Sequence, residues 1–387
     1  MKKLLEKVSL LSLSLMLVST FSVSPALPKM LTHYEAQGYG VGQVELLFSL
    51  SSFAILGILL ATPLMNRWLS ERLTIILGLV LLAVGGMTPF FFQAYPVVFV
   101  SRIILGAGVG LINARAISII GEHFSGRERV QMLGYRGSAE VLGSAVCTFL
   151  VGRLLKISWS ASFLIYGLGF VILFLYLAFV AKPEDSQVQL PKTEPKTSRL
   201  SSGQVLYITG LALYAGFVIL VNTAITLRLP LVMERLQLGT DSQSSLILSL
   251  MMLMGILAGA LFAFLLDWLK DYLMALVVLA LSAGLFILWF ANSLWWLALG
   301  ALMTGFVYSL GVTLVFHRIS ETIPVKQLNA ATTVVLLGCN LGGGFASLGL
   351  QFFGLFSSSV NISFILFALV SLFLGLSLLI YQRLTHQ

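Results

Sequence analysis

The chain has 387 residues, 58% of them hydrophobic and only 10% charged, with a mean hydropathy of +0.99. Soluble domains carry about 25% charged residues, so a water-soluble fold is excluded. The net charge of +8 would suit nucleic acid only if it were clustered, and it is instead spread over loops, while two cysteines in apolar stretches, Cys147 and Cys339, give neither a disulfide framework nor a zinc cluster.

A membrane-crossing helix needs about 20 mostly apolar residues. Apolar stretches bounded by charges, prolines and polar clusters predict spans at 8–28, 43–65, 73–93, 97–121, 132–153 and 160–181, then at 204–227, 244–266, 272–291, 294–316, 328–352 and 361–381. Lys2 and Lys3 precede the first run as they would in a signal peptide. The run from Val8 to beyond Val23 is longer than the usual apolar region of a signal, about 7–15 residues, so it is expected to stay as span 1. The long polar segment from Lys182 to Gly203, with Pro183, Pro191 and Pro195, cannot bury enough apolar surface to fold alone. The expected fold is therefore an all-α polytopic membrane protein, with twelve transmembrane helices in two pseudo-symmetric six-helix bundles around a central cavity. Residues 1–181 form the first bundle, 182–203 a cytoplasmic linker and 204–387 the second bundle.

Lysine and arginine set the orientation. With the N-terminus inside, sixteen fall on the inner side and five on the outer, Arg228 among the outer five, with Arg102 and Arg115 inside span 4. Both termini are thus expected in the cytoplasm and the chain in the plasma membrane. The halves echo each other in sequence: Trp68, Leu69, Glu71 and Leu73 recur 200 residues later as Trp268, Leu269, Asp271 and Leu273. Gly143 and Gly342 stand 199 apart, as do Glu122 and Glu321. A near-constant offset argues for a duplicated unit, and parallel repeats of this kind place a substrate site near the midplane between them.

Several motifs give these spans a family likeness. Span 1 ends in Pro25 and Pro28; span 4 carries Arg102 followed by Gly106, Gly108 and Gly110; the loop after span 2 reads Asn66, Arg67, Trp68, Leu69, Ser70, Glu71, Arg72. In these features the sequence resembles the major facilitator superfamily, and within it the twelve-helix drug:proton antiporters. The paired prolines and the Arg-x-x-x-Gly of span 4 fit well. Asn66 and Leu69 replace the acid and the glycine of the family's gating loop, which leaves Arg67 and Arg72, with Asp267 as an acid in the second half. Span 5 keeps Gly134, Gly143 and Gly152 of the antiporter motif but has Cys147 and Thr148 where a Gly-Pro pair is expected. The resemblance implies proton-coupled efflux of small lipophilic or amphipathic compounds, with proton-symport import of a small metabolite as the alternative. It also implies that Arg102 faces the polar interior and takes part in proton coupling.

Charges inside hydrocarbon are costly and tend to pair or to line water. Arg102, Arg115 and Glu140 are the candidates, with Glu45 near the outer end of span 2. Arg102 shares a helix face with Asn113, eleven residues on, while Arg115 falls nearly opposite; binding of Arg102 to backbone carbonyls is the plainer alternative. Arg115 and Glu140 lie about equally far from the loop between spans 4 and 5, which predicts an ion pair, with Arg136 a competitor one turn from Glu140. Thr333, Asn340, Ser347 and Gln351 fall within about 40° on span 11, and with Asn222, Thr226, Thr304 and Tyr308 they are candidates to line the cavity; Ser and Thr hydroxyls bonded to their own helix are the alternative. The four histidines, His33, His123, His317 and His386, show no metal spacing and no nucleophile beside a base. Neither an enzyme nor a cofactor is expected. The expected partners are a small-molecule substrate, protons and membrane lipid, with no nucleic acid, for a chain that works as a monomer.

Overall fold

The computed structural model describes every residue except 1, 66–67, 117, 125, 181–200, 357–358 and 386–387. Fourteen α-helices run through the described residues: α1 Lys2–Ser12, α2 Leu27–Glu35, α3 Val41–Met65, α4 Glu71–Phe91, α5 Tyr95–Ala116, α6 Ser118–His123, α7 Gly126–Leu154, α8 Leu168–Phe179, α9 Ser202–Arg235, α10 Asp241–Leu269, α11 Leu273–Trp289, α12 Leu294–Thr322, α13 Val325–Gly354 and α14 Ile362–Thr385. No strand occurs among them. Span 1 is α1 and α2 joined by short 3-10 turns, and span 6 is a 3-10 stretch, Ser160–Gly167, running into α8. With α6 as a short appendix to span 4, the twelve crossings expected from the sequence are all present. The end of the bundle where span 1 begins and span 12 finishes is called proximal below, and the other end distal.

Span 1 is broken, with a 48° bend between Leu5–Met16 and Ser19–Glu35. Its sequence explains the break. Pro25 and Pro28 stand in the first turns of the last 3-10 piece and of α2, where their missing backbone donors mark further breaks beyond the bend. Serine hydroxyls compete for helical carbonyls, Ser12 bonding Ser9 O at 2.7 Å and Ser19 bonding Met16 O at 2.7 Å. α9, by contrast, runs unbroken for 34 residues, about 50 Å at the usual rise, and ends beyond Pro230. Arg228 was expected in an outer loop; it stands two turns inside this helix, because the apolar run Leu229 to Met233 continues past it.

The internal repeat has a packing basis. A β-carbon on Gly143 of α7 would run into the carbonyl of Leu15 in span 1, and one on Gly342 of α13 would run into the carbonyl of Gly216 in α9. Spans 5 and 11 thus press their backbones onto spans 1 and 7 at equivalent places, which only glycine permits. The outer faces are apolar and exposed, as lipid demands. Trp68 in the loop after α3 and Trp268 in the last turn of α10, both proximal, and Trp295 and Trp296 at the distal start of α12, are likewise exposed, where an interfacial belt belongs.

Candidate functional site

The surface on which the two halves meet is the feature around which the charged and polar side chains are arranged. α3 faces α13 across it, and α7 faces α10. Several hydrogen bonds and ion pairs cross it in its distal half. Ser49 Oγ donates to Gly343 O at 3.3 Å, and Gln351 Nε2 donates to Gly42 O at 3.1 Å. On the other flank Ser242 Oγ reaches Gly152 O at 3.1 Å and Ser249 Oγ reaches Ala145 O at 2.8 Å. Nearer the midplane, Phe53 sits against Gly344. The structure is therefore sealed on its distal side.

Two ion pairs of opposite sense reinforce this seal. Lys29 of the first half meets Asp241 of the second at 2.8 Å, near the surface, and also donates to Leu155 O at 3.0 Å. Glu45 of the first half meets Arg228 of the second at depth, with Nε to Oε1 at 3.2 Å and Nη2 to Oε2 at 3.3 Å. The Glu45 side chain is 0% exposed and that of Arg228 11%. Only the Nη2 contact is aligned as a hydrogen bond, and Glu45 Oε1 and Arg228 Nε have none. Two buried charges held by one long hydrogen bond recover little of their desolvation cost.

Arg102 is 1% exposed and is not at this seam. Its Nη2 donates to Thr20 O at 2.6 Å, its Nε to Leu47 O at 3.1 Å and its Nη1 to Tyr166 Oη at 3.3 Å. Phe48, Phe163 and Tyr166 surround the guanidinium, with ring centroids 5.4, 5.8 and 5.9 Å away. Tyr166 in turn bonds Ser19 O at 3.0 Å. The broken turns of span 1 leave these carbonyls free to accept, and Arg102 ties spans 1, 2, 4 and 6 of one half together. This is the backbone-carbonyl arrangement that the sequence left as the plainer alternative.

The expected Arg115–Glu140 pair does not form. Arg115 Nη1 bonds Glu71 Oε1 at 2.7 Å, and Glu140 Oε1 is held by Arg136 Nη2 one turn back at 2.5 Å. Equal distance from a loop fixes depth but not direction. α5 packs on α3 and α4, while α7 packs on span 1 and α10, so the two side chains point to different neighbours. Glu140 instead lies one turn from Ser144, whose hydroxyl meets Met252 Sδ of α10 at 3.1 Å, on the face of α7 turned to the second half. Glu140 keeps 22% of its side-chain surface and Arg136 16%. Among the described residues Glu45 and Glu140 are the two carboxylates set deep in the bundle, one inside the seal and one below it.

The remaining candidates divide by where their polar atoms go. Asn340 Nδ2 turns back to Leu336 O at 2.9 Å, Thr226 Oγ1 to Asn222 O at 2.9 Å and Thr304 Oγ1 to Ala301 O at 2.9 Å. Asn222 Oδ1 is buried without a hydrogen bond. Asn113 and Tyr308 are half-buried and Thr333 is exposed. The distal members of the α13 stripe, Ser347 and Gln351, belong to the seal. In the gating loop Arg67 lies outside the described residues, Arg72 is half-buried and Asp267 is exposed. The acid engaged in the second half is Asp271, which accepts from Arg318 at 2.9 Å. Sequence reasoning missed Arg228; its signal was the apolar run on both sides, obscured because Pro230 reads as a stop.

This geometry has counterparts among known proteins. A family model described as Major Facilitator Superfamily matches residues 9–347. No curated protein sequence matches the chain. Among solved structures, a crystal structure of the peptide transporter POT, in a mutant form and in complex with alafosfalin, superposes with a TM-score of 0.74 at 14% identity, covering 97% of this chain and 94% of the other. A further crystal structure of that mutant gives the same values, TM-score 0.74 at 14% identity over 97% and 94%. At that identity the likeness is one of fold. The chain belongs to the major facilitator superfamily and is a secondary active transporter.

Proposed function

We propose that this transporter exchanges protons for small lipophilic or amphipathic compounds and carries them out across the plasma membrane, with both chain termini in the cytoplasm. The proximal side is then cytoplasmic, in keeping with its excess of lysine and arginine, and the structure corresponds to the state sealed toward the outside. The observation that carries the reading is the position of Glu140. It stands at mid-depth on α7, below the seal, one turn from the Ser144 that touches Met252 of the second half, and is partly accessible beside Arg136. A carboxylate in a transport path can be occupied by a proton or by a donor group of the substrate, but not by both at once. Competition of that kind makes proton entry and substrate exit alternate, and each ligand drives the other through its preference for one of two states.

The replacement of a Gly-Pro pair by Cys147 and Thr148 in α7 favours the alternative, import of a small metabolite with a proton. One assay separates the two. Inverted membrane vesicles from an efflux-deficient bacterium expressing the chain are acidified, and a compound panel is added with a pH dye reporting on the lumen. Release of protons from the lumen on adding a compound supports exchange. Silence across chemically diverse compounds, with uptake of a metabolite in intact cells, supports import.

A further inference from the structure

We propose that a cavity at the distal end of span 1, α9 and α10 is a binding site for an organic ammonium ion, a protonated amine carried on an apolar body. The inference goes beyond the exchange proposed above and rests on neither its direction nor its coupling.

The cavity has a volume of about 380 Å³, within the range of small-molecule sites. Pro25 of span 1 forms one wall. Met233 and Glu234 of α9, Gln237 of the turn that follows, and Asp241 and Ser244 of α10 complete it. Two carboxylates thus line the cavity, and no lysine or arginine does. Asp241 Oδ2 is held by Lys29 at 2.8 Å. Glu234 is exposed and, among the described residues, enters none of the ion pairs. One carboxylate charge is therefore left over for a ligand. At the inner side stands Ser244, 2% exposed, whose hydroxyl has no hydrogen bond. A buried hydroxyl without a partner is costly, and an N–H group entering the cavity supplies one. A cation that carries N–H bonds satisfies both the spare carboxylate and the orphaned hydroxyl. Met233 and Pro25 offer apolar surface to the rest of the molecule, the thioether adapting to its shape.

The turn between α9 and α10 fixes these groups in place. Leu238 N bonds Met233 O at 3.0 Å and Gln237 N bonds Glu234 O at 3.1 Å, the paired closure in which the position after the helix usually falls to glycine. Gln237 occupies that position with φ 52°, a left-handed backbone that glycine would adopt without strain, and it borders the cavity. The N-terminus of α10 offers no competing anion site, because Thr240 and Gln243 cap it reciprocally. An adjoining cavity of about 320 Å³ shares Thr240 and Asp241 but is lined by Lys29 and Lys156 as well, which repel a cation. Arg235 follows Glu234 about 100° round the helix and does not line the cavity.

The test measures binding of tritiated naphthylmethylamine, a protonated amine on a flat apolar body, to the purified full-length protein in lipid nanodiscs. Naphthylmethanol, with a hydroxyl in place of the ammonium, is the neutral competitor. The amine should bind saturably, and the alcohol should displace it at least about tenfold less well than the unlabelled amine does. Glu234→Gln should weaken binding about tenfold and Ser244→Ala about threefold, since a bond to a charged group is worth more than a neutral one. Both variants should fold normally, one side chain being exposed and the other hydroxyl unbonded. Gln237→Cys, with Cys147 and Cys339 replaced by alanine, should bind the amine until a bulky maleimide fills the cavity. The same reagent on Trp295→Cys, exposed and outside the cavity, should leave binding intact. Absence of saturable binding, equal displacement by the alcohol, or wild-type affinity in Glu234→Gln or Ser244→Ala overturns the proposal. So does binding that survives the maleimide at Gln237→Cys. Binding at this site with no compound-driven proton flux in vesicles would remove the exporter reading alone, and proton flux without saturable binding here would remove only the site.

Discussion

Arg115 bonds Glu71 at 2.7 Å, and 200 residues after Glu71 the same relation recurs as Arg318 bonding Asp271 at 2.9 Å. In each half the acid stands at the proximal start of one helix and the arginine near the proximal end of the next. The duplication thus extends from the sequence echo in these loops to the ion pair that braces them. A double-mutant cycle on thermal stability in detergent should find coupling between Arg115 and Glu71. Because Glu71 is 46% exposed, screening limits the coupling to about 0.2–1 kcal/mol. The cycle between Arg115 and Glu140 should be additive within about 0.5 kcal/mol. Coupling in the second cycle and none in the first would reverse the assignment.

The two close backbone approaches give a sharper contrast. Gly342→Ala would force a methyl onto the Gly216 carbonyl, and Gly143→Ala one onto that of Leu15. Overpacking of this kind costs about 1–3 kcal/mol, so both variants should melt at lower temperature. Gly134→Ala, on the same helix as Gly143 with nothing within 4 Å, should be neutral or stabilising by about 0.5–1 kcal/mol. Equal melting of all three would mean that the glycines are not packing devices.

Span number, the repeat and the family likeness were legible because lipid imposes a length and a polarity on every crossing, and these are one-dimensional quantities. Direction around a helix is not. Depth alone suggested that Arg115 and Glu140 meet, yet span 1 and α10 take up one side of α7 while α5 turns to α3 and α4. The Asn340 amide is spent on its own helix, a choice between two acceptors that spacing does not reveal. Arg228 was hidden by a proline that caps few residues short of the true helix end. Glu45 could be read as a membrane charge, but its partner lies 183 residues away in the other half, beyond the reach of any local pattern.

Arg102 should be a residue of stability first. Arg102→Ala would leave the Thr20 and Leu47 carbonyls and the Tyr166 hydroxyl without their donor. Each buried unsatisfied group costs about 1–3 kcal/mol, so folded yield should fall, as size-exclusion chromatography of the detergent-solubilised protein would register. Arg102→Lys keeps the charge but not the fork that reaches three acceptors, and should recover only part of the yield. Normal yield and melting in Arg102→Ala, with transport lost, would instead return the residue to a direct role in proton coupling.

Glu140 separates coupling from carriage. In Glu140→Gln the side chain keeps its size and some capacity to hydrogen-bond, but neither a proton nor a cationic group can be exchanged at it as a charge. If Glu140 is where proton and substrate compete, the variant should still exchange labelled for unlabelled compound across a proteoliposome membrane, because that reaction needs no net proton movement. It should lose accumulation driven by a pH gradient. Arg136→Gln supplies the complementary case. It removes the cation that holds Glu140 at 2.5 Å and leaves the carboxylate to bind protons more readily, so gradient-driven transport should persist with its optimum moved to higher pH. A group whose counter-charge is removed takes up its proton at lower proton concentration, which fixes the sign of that movement. Retention of gradient-driven accumulation by Glu140→Gln, at wild-type rate, would exclude Glu140 as the coupling carboxylate. Coupling would then have to rest on Glu45, the other carboxylate at depth among the described residues.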